Sequence, residues 1–219
     1  MALTKFNFNS FDLTTAASKG LAFNSSANGF ETADEGSMTL IKTLTASSSS
    51  TLTFVNGSDS VVLDNTYPIY LFKFINIHPG TSNADLGILA STDTGSSYGV
   101  ATTSTFFEAK HAEDDSQAEL TYITAFDAAQ STSLIKLTGS IASDNDSNAV
   151  GEMYLFNPSS TTFVKHFIST ANRMFNSRSL NSFVAGYVNT TSAVDAIQFK
   201  MDSGNIDSGT IKLYGIKDS

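Results

Sequence analysis

The chain has 219 residues, a net charge of −9, a pI near 4.6 and a 41% hydrophobic content that includes 17 Phe and 7 Tyr. That much apolar material fills a core and excludes wholesale disorder. The acidic balance, with only 12 scattered Lys and Arg and no basic stripe, excludes nucleic acid and anionic lipid as partners.

Cysteine is absent, which removes disulfides, thiolate metal sites and cysteine nucleophiles. Charged residues reach only 15%, below the roughly 25% of ordinary soluble domains. Ser and Thr take their place, and β-branched Thr suits strands. The start, MALTKFNFNS, lacks a basic stretch followed by an apolar one, so synthesis in the cytosol without an export signal is expected. No apolar run approaches the roughly 20 residues of a membrane helix, and no membrane insertion is expected.

In chain order, residues 1 to 36 stand apart. FNFNSFDL spaces its aromatics two or three apart, and small polar residues follow. This segment buries little by itself and is expected to be a first strand or an arm that docks on a neighbour. Residues 37 to 219 are expected to form one β-sandwich domain. Met38 to Thr45 alternates Met38, Leu40 and Leu44 with Thr39, Thr43 and Thr45. The SSSS tetrad, Ser47 to Ser50, reads as a loop before a strand at Thr51 to Val55. Ile69 to Ile77 is apolar on both faces, with Ile69, Leu71, Ile75 and Ile77 against Tyr70, Phe72 and Phe74. It reads as a central strand.

Shorter strands are expected at Leu86 to Ser91, Leu120 to Phe126 and Leu134 to Leu137. Val150 to Phe156, Phe163 to Ile168 and Phe183 to Val188 follow. Ala196 to Met201 should turn Ile197, Phe199 and Met201 inward and Gln198 and Lys200 outward. Thr210 to Ile216 closes the chain, and SGNIDSGTIKLYGIK reads as a hairpin. Short helical turns fit Asp127 to Gln130 and Asn172 to Asn176. Pro68, Pro79 and Pro158 fall at strand edges or turns. Turn residues recur every ten to fifteen positions and no long helical periodicity occurs. The expected fold is therefore all-β, an antiparallel β-sandwich of jelly-roll type.

Chemistry-bearing patterns are sparse. His78, His111 and His166 are the only histidines, and none forms an HxH or HExxH motif. There is no GxSxG elbow and no phosphate-binding glycine loop, DTGSSYG having the wrong spacing. Ser143 to Asn148 begins like a calcium loop, but Ala149 and Leu155 stand where Gly and Glu are required. A plain turn is the simpler reading. Glu113, Asp114 and Asp115 read as a solvated loop. The sequons at Asn24, Asn56, Asn145 and Asn189 carry meaning only on a secretory route. No catalytic residue, metal ligand or cofactor is assigned.

Several blocks look familiar together. They are Phe72 to Pro79, Ser91 to Tyr98, Asn157 to Phe167, Phe183 to Phe199 and Ser203 to Ile216. From about residue 38 to residue 217 the chain resembles a family of virion-associated proteins of marine tailed phages, including those of cyanobacteria and SAR11-type bacteria. The resemblance implies a non-enzymatic structural component of a virus particle. Capsid decoration (cement) proteins and tail- or fibre-associated proteins are the roles it implies. It brings no catalytic residues. The expected location is the virion, after synthesis in the host cytoplasm. The expected partners are other virion proteins of capsid or tail and further copies of the chain, a trimer among the assemblies that would suit. The alternative is a receptor-binding module for host surface glycan, with Asp93 to Thr105 and Ala142 to Asn148 as its loops. A glycan-cleaving enzyme fits least, because the chain is short and has no repeat.

Overall fold

A computed structural model describes residues 19–23, 26, 29–34 and 36–217. The chain divides into two compact units, residues 1–39 and 40–219. In the first, β1 (Lys19–Phe23) and β2 (Phe30–Asp34) pair antiparallel. Phe23 lies opposite Phe30, and their rings stack 5.0 Å apart. Of the expected first strand or docking arm, residues 1 to 36, residues 1–18 lie outside the described residues.

The remaining strands are β3 (Met38–Thr45), β4 (Leu52–Val55), β5 (Ile69–Pro79), β6 (Leu86–Ser91) and β7 (Thr102–Ala112). They continue with β8 (Ala118–Tyr122), β9 (Ala128–Ser131), β10 (Ile135–Lys136), β11 (Ala149–Phe156) and β12 (Lys165–Met174). β13 (Arg178–Val188), β14 (Ala196–Met201) and β15 (Ile206–Ile216) complete the chain. Among the described residues, a nine-stranded sheet runs β3-β15-β5-β11-β12-β13-β7-β8, with β9 also on β7. A four-stranded sheet runs β10-β6-β14-β4. The pairings of both are antiparallel.

Alternation places one face of each sheet against the other. Phe54 on β4 and Phe199 on β14 meet Phe72 and Phe74 on β5, with ring centroids 5.2 to 5.5 Å apart across the gap. All four are buried. Each such ring contributes about 1.5–3 kcal/mol of transfer free energy. Along the wide sheet one inward row reads Leu213, Phe72, Met153, Ser169, Val184 and Phe106. The next reads Ile211, Phe74, Gly151, Ala171, Ser182 and Glu108. The first row stays largely apolar to Phe106, whereas the second turns polar at Ser182 on β13 and Glu108 on β7.

The structure is an all-β antiparallel sandwich, as expected. A jelly roll divides eight strands between its sheets. Here nine face four, and the strand order stops at the broader class.

Several local expectations are corrected. Ile77 does not share a face with Ile69, Leu71 and Ile75. Asn76 adopts φ 51° and Gly209 on β15 adopts φ 111°, and the β5–β15 register shifts beside them. The bulge reverses the alternation, so Ile77 joins Phe72 and Phe74 inside. Met38 and Leu40 are about half exposed because β3 is an edge strand, and Ile41 and Leu44 lean on the core instead. The closing segment is not half of a hairpin with β14. Both edges of β14 are taken by β6 and β4, so the chain turns at Gly204 and crosses to the wide sheet. The helical turns expected at Asp127 to Gln130 and Asn172 to Asn176 are the strand β9 and the end of β12. The one 3-10 turn among the described residues is Thr124–Phe126, inside the segment expected as a strand.

Candidate functional site

The three histidines lie apart. His78 donates from Nδ1 to the Ser147 carbonyl at 2.7 Å, tying β5 to the turn before β11. His111 is exposed, with Nε2 3.2 Å from Asp115. His166 lies on the outer face of the wide sheet, its ring 5.9 Å from that of Tyr187. The Ser143 to Asn148 stretch closes a turn through Ser147 N–H to Asp144 O at 2.9 Å. Among the described residues, no three His, Asp or Glu gather as a metal-holding group.

The loops Asp93 to Thr105 and Ala142 to Asn148 do not come together. The first follows the Ser91 end of β6, and its Thr94 N–H donates to Asp195. The second adjoins the Leu86 end, where Ile141 bridges Ala84. They sit at opposite ends of one strand, and residues 102 to 105 are themselves part of β7. Asp93 is tied into its own loop, accepting from Ser91 Oγ, Ser97 Oγ and the Ser97 N–H. The Ser97 and Ser91 hydroxyls, with that amide, hold its carboxyl at about 2. A carboxylate so fully used is a loop clasp.

Two buried charge sets were not legible beforehand. On the polar end of the inward face, Arg173 (β12) donates from Nη1 to Glu108 (β7) at 2.6 Å and to Ser182 Oγ (β13) at 3.0 Å. Its Nε donates to the Ser140 carbonyl at 2.9 Å. Gly139 lies so close that a Cβ there would sit 2.5 Å from Arg173 Nη2 and 3.2 Å from the Phe126 ring. Nearby, Lys136 (β10) pairs with buried Asp85 and reaches Asp202 at 3.5 Å. Asp202 in turn accepts from the Asp85 N–H at 2.9 Å. Burial raises the Asp85 carboxyl against the pull of Lys136. Lys136 also lies 4.4 Å from the centre of the Phe126 ring.

A third buried charge, Lys165, donates to the carbonyls of Phe163 and Thr190 at 2.9 and 3.1 Å. Burial lowers its pKa. In the first set the Ser182 hydroxyl also donates to Glu108 at 3.3 Å, closed inside the sandwich, and Lys165 ties the start of β12 to the chain after β13. All three are fasteners of the sandwich.

Depressions open to solvent lie between the loops. One of about 560 Å3 lies between the β7–β8 and β12–β13 turns, lined by Glu113, Asp114, Gln117 and Arg178 among others. Arg178 Nη1 donates to Gln117 Oε1 there at 2.8 Å.

The broadest unusual feature is a face rather than a cleft. On the outer side of the wide sheet, Phe107 and Phe183 stack at 4.9 Å with ring planes 11° apart. Tyr122 pairs across from Phe107, and its hydroxyl donates to Asp127 at 2.7 Å. Phe107 is 38% exposed, Ile168 51%, Tyr122 54% and Leu120 71%. Large exposed apolar areas of this kind mark contact surfaces.

Comparison with protein-family models, with curated proteins and with solved structures finds no match.

Proposed function

We propose that the chain is a structural, non-enzymatic component of a tailed-phage particle, either a capsid decoration (cement) protein or a tail- or fibre-associated protein. The observation that carries this reading is the outer face of the nine-stranded sheet. A rigid sheet presents stacked Phe107 and Phe183 with Tyr122, Leu120 and Ile168 to its surroundings. Such a surface works by adhering to other proteins. The buried charges support the same reading, because Arg173 with Glu108 and Lys136 with Asp85 are spent on each other. The sequence blocks that resemble marine phage virion proteins lie largely on sheet strands and their turns, Phe72–Pro79 on β5 and Ile206–Ile216 on β15 among them. In this role the chain is made in the host cytoplasm and joins further copies of itself and other particle proteins. Glycan binding has less support, since the two loops that would form its site lie at opposite ends of β6.

Gold-labelled antibody against residues 40 to 217, applied to purified particles of the encoding phage, tests the assignment. Regular labelling of head or tail is expected. Unlabelled particles, with the chain left in the soluble lysate, would overturn it.

A further inference from the structure

The outer face between β8 and β12 stands out in its charge pattern. Strand alternation directs Leu120 and Tyr122 outward from β8, and Thr105 and Phe107 from β7. It directs Phe183 and Ala185 outward from β13 and Ile168 from β12. Among the described residues of these four strands that point outward, none is Asp, Glu, Lys or Arg. Charge borders the face, with Asp127 accepting from Tyr122 and His111 beside Asp115 at the end of β7, and beyond β12 Glu152 on β11 meets Lys73 on β5 at 3.4 Å. A chain with 21 Asp and Glu, 12 Lys and Arg and a net charge of −9 thus keeps these residues off the outward strand positions of one face.

We infer that this face is the self-association surface of the chain, and that its occupant is the same face of a second copy. Two features select that occupant. A basic partner would be matched by carboxylates, and the four strands present none outward; Asp127, at the margin, is taken up by the Tyr122 hydroxyl. Two copies that each carry −9 repel wherever acidic surfaces meet, and the contact that escapes this joins neutral face to neutral face. Isologous pairing also sets the flat Phe107–Phe183 stack against aromatic and small residues of the same kind, a self-complementary arrangement. The size suffices. Four strands about 4.8 Å apart and up to about ten residues long cover roughly 19 by 33 Å, or roughly 600 Å2 in projection. A stable interface needs roughly 800 Å2 of accessible surface per partner, and side-chain relief adds to the projected figure. The depletion of charge with aromatic enrichment is the composition of an interface core.

Sedimentation velocity on the purified full-length chain reads this directly. The wild-type chain is expected as a dimer, or as a larger assembly of dimers. Ile168→Lys and Ile168→Glu each put a charge at a half-exposed position, where folding is unaffected, and should weaken association by about tenfold or more. Circular dichroism and the melting profile of each variant should match wild type. Removing residues 1 to 36 should leave association intact. A wild-type chain that stays monomeric at every concentration would overturn the inference. So would an assembly indifferent to both substitutions, or one lost with residues 1 to 36. Self-association is measured without particles, so its failure and the failure of the particle assignment are told apart.

Discussion

Arg173 and Glu108 sit side by side on the inward face of the wide sheet, 2.6 Å apart and each about 5% exposed. They lie on β12 and β7, with β13 and its Ser182 between them. The pair holds three strands at the end of the sheet where apolar packing against the four-stranded sheet gives out. Breaking a buried pair leaves an uncompensated charge, whereas removing both partners does not.

Arg173→Met should therefore destabilise the fold by about 3–5 kcal/mol. The double variant Arg173→Met with Glu108→Leu should recover most of that loss. Urea unfolding followed by circular dichroism measures both. Equal instability of single and double variants would show that the pair is not an independent fastener.

Ser104 lies on β7 two residues before Phe106, buried, with no hydrogen-bond partner for its hydroxyl. Ser104→Ala removes that unpaired group and should raise stability by about 1 kcal/mol. A shift of the urea midpoint upward at unchanged slope is the expected reading.

Gly209 carries the bulge that turns Ile77 and Ile206 inward. At its φ of 111°, a Cβ would stand 2.5 Å from the Asn76 carbonyl oxygen. Gly209→Ala should destabilise by about 1–3 kcal/mol through strain and displacement of β5. Gly57→Ala, also at positive φ but with open space around it, should cost less. Thermal melts of the two variants make the comparison.

Asp93 is held at about 2 by its loop hydroxyls and amide, against an ordinary value of 3.8. The sign follows from proton linkage. The unfolded chain binds more protons between these values, so the stabilisation is present above about pH 4 and fades as pH falls toward 2. Asp93→Asn should be less stable than wild type at pH 7. The difference should narrow across the acid window, and denaturant titrations at pH 7, 4 and 2.5 follow it. A constant difference would mean that the loop does not depend on the carboxylate.

The described core begins at Ala46 and lies wholly within residues 40–219. Deleting residues 1 to 36 should leave a cooperative melt within a few degrees of the full chain. A chain that fails to fold without them would show that the domain boundary expected near residue 36 is misplaced.

Strands were legible where inward positions are apolar. β14 is the plainest case, since Ile197, Phe199 and Met201 are all inside while Gln198 and Lys200 lie between them. β7 escaped notice because its inward positions include Thr102, Ser104 and Glu108, whose burial depends on Arg173 and Ser182 far along the chain. The extension of β12 beyond Ile168 was hidden in the same way, by Ser169 and Arg173. Polar pairs across strands leave no periodic apolar signal. The outer face was equally silent, since Phe107 and Phe183 become neighbours only through the register of β7 on β13. The bulge at Asn76 and Gly209 broke the period-two pattern that local reading assumes.

A density map of the intact phage particle tests the central claim most directly. The account predicts repeated copies of the residues 40–217 fold, a nine-stranded sheet facing a four-stranded one, placed symmetrically on head or tail. Their outer β8-to-β12 face should be covered by protein. A complete map of the particle with no density of this fold would contradict it.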